Sequence, residues 1–256
     1  MKPVAIVTGA RVGIGLATAL ALGELGMRVA ITSRSGPEDA TDHGTETLTS
    51  AVAAVEAAGG EGMGVKLDLA DRSSIDAALA AVAARWGSAD ILVNNALCDQ
   101  PAAQVPIEDV DFGAFETMMV GEVVNTAYLT RQVLLQPRSG PLSVVNVGSA
   151  AADHVPPVPV GRGGWAYTYA ATKAALHRLG GFLQLEYGDR VRAFTVNPGV
   201  VRTERLIERM GDLLPGGVAP AVPARVIRWL ATDAAADTHL GGYLHAQEVA
   251  KEKGWL

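Results

Sequence analysis

Short apolar runs alternate with longer stretches of helical periodicity along almost the whole chain. Val4-Ala5-Ile6-Val7 is the first run, and a helical apolar pattern from Leu16 to Leu25 follows a glycine cluster. Read in this way, the sequence predicts strands at 3–8, 28–33, 63–67, 89–93, 142–147 and 190–196, with a last strand near 242–246. Between them it predicts helices at 13–25, 45–58, 73–86, 112–136 and 165–187, and short helices near 203–211 and 221–233. Strands and helices that alternate over short connections pair in parallel, with helices on both faces of the sheet. The expected fold class is therefore α/β, a doubly wound parallel sheet in a single domain over residues 1–256. No internal boundary or repeat interrupts it. Gly36 to Thr47 reads as a polar loop, and the alanine-rich stretch Ala77 to Ala84 as plain helix former.

Composition narrows the class. The chain has 256 residues, 49% of them hydrophobic, enough to cover a sheet on both faces. No apolar run reaches the roughly 18 residues of a membrane span. Met1-Lys2-Pro3 leads straight into a core strand, so no signal peptide is expected. Cys98 is alone and can form no internal disulfide. A cytoplasmic location is the resulting expectation. A net charge of −6 without a basic run argues against nucleic acid and favours solubility. No metal site is expected.

Tyr169 and Lys173 lie four apart within the helix predicted at 165–187, so they share one face. A phenol is a poor proton carrier at neutral pH, and an adjacent ammonium favours its ionised form. The pair suits exchange of a proton with a substrate oxygen. Thr8-Gly9-Ala10-Arg11-Val12-Gly13-Ile14-Gly15 stands between a strand and a helix. That is the context in which glycines admit a pyrophosphate to a helix N-terminus. Ser149 follows the apolar run 142–147, where a residue faces the ligand crevice of an open α/β sheet. Asn197-Pro198-Gly199-Val200-Val201-Arg202-Thr203 forms a tight turn after another apolar run.

Together these residues resemble the short-chain dehydrogenase/reductase family, and the resemblance spans almost the whole chain. Thr8-Gly9-x-x-x-Gly13-x-Gly15 is similar to its glycine motif, and Asp68 to the acidic residue that contacts adenine. Asn94-Asn95-Ala96 resembles the motif that ends its fourth strand. Ser149, Tyr169 and Lys173 match its catalytic residues, and Pro198-Gly199 to Thr203 the segment over the nicotinamide. The resemblance implies a Rossmann fold with cofactor contacts at Gly9, Arg11, Val12, Gly13, Ile14, Gly15, Asp68, Leu69, Asn95, Ala96, Tyr169, Lys173, Pro198, Gly199, Val201 and Thr203.

The chain departs from the family in three places. Glu122 stands where the family carries an asparagine whose carbonyl extends a proton relay to the lysine, and Asn125 is one turn further on. Glu122 either joins the catalytic residues by pairing with Lys173 or faces solvent or another subunit. Leu97 replaces a glycine and is expected to restrict the backbone under the nicotinamide, with Cys98 after it. Ser149 and Tyr169 are separated by a long loop, Asp153 to Trp165, read as substrate-pocket wall. Trp165 and the proline-flanked valines would make it apolar; His154 and Arg162 are candidate polar contacts.

Charge bears on cofactor choice. An NAD site places an acid at the end of the second strand; here that place holds Ser33-Arg34-Ser35. Arg34 suits a 2′-phosphate, with Arg11 a second nearby cation, although NADP-using relatives often carry the base where this chain has Val12. NADP(H) is the expected cofactor and NAD(H) the alternative. The segment 204–225 reads as a lid that turns Leu206, Met210, Leu213 and Leu214 to the substrate. Trp255 and Leu256, at the end, are candidates for a subunit interface. The family implies a homotetramer or homodimer built on the helices at 112–136 and 165–187.

The expected activity is hydride transfer between NADP(H) and a carbonyl or alcohol, with an apolar ketone as the substrate class. The alternatives are a dinucleotide-sensing regulator on the same scaffold and an epimerase or dehydratase.

Overall fold

The computed structural model describes residues 2–36, 47–211 and 216–256. Strands β1 (Val4–Val7), β2 (Arg28–Ser33), β3 (Glu61–Lys66), β4 (Ile91–Asn94), β5 (Leu142–Val147), β6 (Val191–Asn197) and β7 (Tyr243–His245) form one sheet. Its order is β3-β2-β1-β4-β5-β6-β7 and every pairing is parallel. The order reverses between β1 and β4, and this switch point opens a crevice at the carboxyl edge.

Period-two alternation explains why both faces are covered. Ala5 and Val7 point to one core, Val4 and Ile6 to the other, and all four are buried. The first core is closed by α1 (Gly13–Gly23), α2 (Leu48–Ala57), α8 (Ala221–Thr232) and α9 (Ala246–Glu252), through Leu22, Val55, Leu230 and Val249. The second is closed by α3 (Arg72–Trp86), α5 (Thr126–Leu134) and α6 (Tyr167–Tyr187), through Ile75, Leu129 and Leu183. Asn94 and Asn146 are in register on β4 and β5. The Asn94 amide donates to Asn146 Oδ1 at 2.9 Å and to Thr130 Oγ1 of α5 at 3.0 Å.

Local chemistry sets the helix ends. Thr47 and Ser50 form a reciprocal capping box, so α2 begins at Leu48. Asp71 caps α3 by accepting from Ser73 N at 2.8 Å. Residues 45 and 46 of the expected second helix lie outside the described residues. So do 37–46 of the expected polar loop, and Leu213 and Leu214 of the expected lid.

Two expectations need correction. The helix expected at 112–136 is not uniform: α4 (Phe112–Met119) passes through a π-helical turn, Val120–Asn125, before α5. The last helix, α9, follows β7 without a break and was not expected; Ala246, Val249 and Ala250 carry its buried face at helical spacing. Trp255, half-buried, packs within the chain. It packs edge-on against Trp229 at 6.3 Å, with Arg225 4.7 Å over its ring, while Leu256 stays exposed. Among the described residues no helix is long and apolar enough to cross a membrane.

Candidate active site

Four strand ends build the site. After β1 the chain turns at Gly9, at φ +62°, where a Cβ would come 2.9 Å from the Ala96 backbone. Gly13, at φ +59°, opens α1 against the Thr203 side chain, and a Cβ on Gly15 would stand 2.4 Å from the Gly9 carbonyl. These are the positions where only glycine fits. Val12 precedes α1 in an extended conformation and has no oxygen to cap it, so its first-turn N–H groups suit a phosphate. Ile14 lies half-buried in that turn. The residues present thus fit a dinucleotide.

The end of β4 locks this turn in place. Thr8 Oγ1 accepts from Asn95 N at 2.9 Å and Ala96 N at 3.0 Å, and donates to the Val93 carbonyl. The Asn95 amide donates to the carbonyls of Thr8 and Gly9. On the far side, Ser33 is buried and its hydroxyl accepts from Ser35 N at 3.3 Å, Arg34 is exposed, and Arg11 is buried. Asp68 is held by Ser74, which accepts from its backbone N–H, and by its own bond to Ala70 N. Leu69 is buried beside it.

The proton-handling candidates come together on α6 and after β5. Lys173 is 4% exposed, and its Nζ lies 5.7 Å from the Tyr169 ring centre. Tyr169 is half-buried, whereas Tyr167 is 65% exposed and packs edge-on against Phe115. Ser149 caps a short 3₁₀ turn, Ala150–Ala152, accepting from Ala151 N at 3.2 Å. Sequence reasoning missed its support. Tyr243, on β7, donates to the Ser149 carbonyl at 3.0 Å and stacks on His177 at 4.0 Å. Burial, then the charge of Asp153, push the Tyr243 phenol well above its ordinary range. Nothing in the motif pattern pointed to Tyr243, because the contact is made across the sheet edge.

Glu122 does not face solvent. It is 1% exposed, and its Oε2 lies 3.6 Å from Lys173 Nζ. The same oxygen accepts from Thr172 Oγ1 at 3.1 Å, and Oε1 accepts from Cys98 N at 3.2 Å. Asn125 serves a different neighbourhood: it donates to the Leu69 carbonyl and accepts from Arg72 Nε. Burial raises the Glu122 carboxyl above the usual carboxylate range, against the opposing pull of Lys173. Leu97 introduces no left-handed backbone, since no described residue other than glycine has a positive φ.

The segment after β6 closes over the glycine turn. Gly199, at φ +71°, turns under Asn197, whose Oδ1 accepts from its N–H at 2.9 Å. Gln247 of α9, also missed from the sequence, donates to the carbonyls of Pro198 and Val200. Val201 pairs with Val218, bringing the two ends of the excursion together. Between them, α7 (Glu204–Met210) is capped by Thr203 and tied to the loop after β4. Arg205 pairs with Asp99 at 2.7 Å, Gln104 donates to the same carboxylate, and Arg209 donates to Gln104. Leu206 is half-buried, and Met210 reaches the neighbourhood of Gly163. Trp165 is half-buried, but the rest of the long loop is less of a wall than expected. Val155 is 91% exposed, and His154 and Arg162 face solvent, because few residues pack over that stretch.

A family model described as short chain dehydrogenase matches residues 3–212. The chain is 28% identical over 222 residues to the 3-oxoacyl-(acyl-carrier-protein) reductase of Escherichia coli, covering 86% of this chain and 82% of that one. It is 30% identical over 246 residues to the 3beta-hydroxysteroid dehydrogenase 1 of Eggerthella lenta, covering 90% and 87%. The crystal structure of the 3-oxoacyl-(acyl-carrier-protein) reductase of Brucella melitensis in complex with NAD matches at a TM-score of 0.79 and 27% identity, covering 96% of each chain.

Thr8→Val keeps the shape of the side chain and removes the acceptor of two backbone N–H groups. The expected loss is about 2 kcal/mol of stability in urea unfolding, since stranded donors cost more than the bond they lose. An unchanged unfolding midpoint would mean that the β1 and β4 turns hold without this hydroxyl.

Proposed function

This chain belongs to the short-chain dehydrogenase family and is an oxidoreductase acting on carbonyl and alcohol groups with a nicotinamide dinucleotide; on that premise we propose hydride transfer between NADP(H) and an apolar ketone or alcohol. The observation that carries the proposal is the buried Lys173 ammonium beside Tyr169 on one helix face at the carboxyl edge of the sheet. A nicotinamide dinucleotide held there would supply the hydride to the substrate carbon, or take it up in the reverse direction. Tyr169 gives the proton to the substrate oxygen in reduction and takes it in oxidation. Lys173 sets its ammonium beside the Tyr169 ring and would hold the nicotinamide ribose. Ser149 hydrogen-bonds the substrate oxygen and fixes its angle to Tyr169. The glycine turn and the first turn of α1 hold the pyrophosphate, Asp68 and Leu69 the adenine side, and Pro198 to Thr203 the nicotinamide side.

The preference for NADP(H) rests on charge. The end of β2 offers Ser33, Arg34 and Ser35 and no carboxylate to repel a 2′-phosphate, and Arg34 is exposed there. A guanidinium is shaped to take that phosphate through two parallel bonds. The apolar substrate class rests on Leu206, Met210 and Trp165 around the mouth. Action in the cytoplasm goes with a lone cysteine.

A second copy of the chain is the proposed occupant of the face formed by the π turn, α5 and α6. Val120, Val124, Phe182 and Leu185 are exposed there, and Val123, Ala127, Leu179 and Phe182 line an apolar groove between the helices. An apolar patch of this kind is a docking surface.

Three measurements test these proposals. Tyr169→Phe should lower turnover of a ketone panel about a hundredfold to ten-thousandfold and leave NADPH binding in place. Tyr167→Phe should stay within about twofold, as a surface change does; the reverse result would assign the proton to the wrong tyrosine. Tight NADPH binding with no oxidation by any carbonyl would favour a sensor. Arg34→Ala should raise the KM for NADPH about tenfold or more and leave that for NADH nearly unchanged; equal effects would remove the case for NADP(H). Leu185→Glu with Phe182→Glu should convert the oligomer to monomer in light scattering, and an unchanged mass would place the interface elsewhere.

A further inference from the structure

Glu122 is a buried carboxylate in an enzyme core, which is costly unless it is paired and fully bonded. Its carboxylate oxygens have two hydrogen-bond donors and one ion-pair partner, each a separate group. Lys173 Nζ and Thr172 Oγ1 come from α6, and Cys98 N comes from the turn after β4. The π turn that carries Glu122 is itself packed against Cys98, since a Cβ on Gly121 would stand 2.9 Å from both Cβ and Sγ of Cys98. π turns in α-helices recur where a side chain must be re-aimed. Here the turn sends Glu122 towards Lys173 while Asn125 bonds to Leu69 and Arg72.

We propose that Glu122 is a positioning residue of the proton relay: its carboxylate holds the Lys173 ammonium and balances its charge, so that the relay responds to pH through a Glu–Lys pair. The proposal rests on the oxidoreductase reading given above and adds a counter-charge that reading does not require. Lys173 is shared between two demands, the field it presents to Tyr169 and the ion pair behind it. A negative charge at 3.6 Å from the ammonium opposes the first and orients the second.

Other charges face this pair. Cys98 stands beside Glu122, and burial, followed by the Glu122 charge, pushes its thiol up, leaving it neutral. Arg205 of α7 acts on Glu122 from the lid side, and Asp68 and Arg34 act on Cys98 from the adenine side. Beyond Tyr169 lie Tyr243, Asp153 and His177. None of these is in direct ion-pair contact with Glu122; among the described residues that contact is made by Lys173.

Two experiments test the proposal, one of which needs no turnover. Lys173→Met removes the ammonium, and the stranded carboxyl should then take up a proton. A protonated-carboxyl infrared band should appear at neutral pH in Lys173→Met and vanish in Lys173→Met with Glu122→Gln. Absence of that band would overturn the pairing, whether or not the chain reduces any ketone. In the second experiment, Glu122→Gln keeps the shape and one acceptor oxygen and removes the charge. The acid limb of kcat for alcohol oxidation should move down by about one pH unit, because the proton that blocks the base is held less tightly. KM should change far less than kcat. Glu122→Asp, which keeps the charge, should restore most of the original profile. A Glu122→Gln enzyme with lower kcat and an unmoved limb would reduce Glu122 to packing and overturn the proposal. If no alcohol is oxidised by the parent enzyme, the oxidoreductase reading fails while the infrared result still decides the pair.

Discussion

The Thr8 hydroxyl and the Asn95 amide join the ends of β1 and β4 at the one place where the strand order reverses. Five hydrogen bonds converge within two short turns, counting the bond from Thr8 to the Val93 carbonyl. They bring Gly9 against Ala96 and leave no volume for a side chain at Gly9 or Gly15. The direction of α1, and with it the place a pyrophosphate can take, follows from that closure. The catalytic candidates then inherit their positions from β5 and α6, which pack against the same sheet.

Electrostatics in the site is a balance between burial and pairing. Lys173 and Glu122 are both nearly inaccessible, and each would be costly without the other. Thr172 is also buried and bonds both Glu122 and the Tyr169 carbonyl, so one residue ties the carboxylate to the helix turn that carries the phenol. Tyr243 plays a comparable part for Ser149 from the opposite side. The reacting centre is therefore framed from α6, from the π turn and from the sheet edge at β7.

The side of α7 is built differently. The Asp99, Gln104, Arg205 and Arg209 cluster links α7 to the loop after β4 through polar contacts that are only partly buried. Pairs of this kind are weak and exchange readily with water. The α7 cluster joins long side chains to one another, whereas the glycine turn is held through backbone groups bonded to Thr8 and Asn95.

Much of the fold was legible because its signals are local. Apolar runs read as strands at 3–8, 89–93 and 142–147, helical spacing between them and glycines at 9, 13 and 15 depend on neighbours within a few residues, and β1, β4, β5 and α1 lie within a residue or two of where those signals put them. The pairing of Tyr169 with Lys173 was legible for the same reason, being one helical turn. The rest depended on contacts between residues far apart in sequence. The π turn at 120–125 exists because Glu122 meets α6 some 50 residues on and Asn125 meets Leu69, 56 residues back. Gln247 and Tyr243 support the turn at Gly199 and the Ser149 carbonyl from α9 and β7, and Trp255 packs on Trp229, 26 residues back. The sequence by itself determined the strand and helix order and the chemistry offered at the carboxyl edge. Only tertiary structure decided which of those groups are buried together, because burial and ion pairing are properties of the packed neighbourhood and not of spacing along the chain.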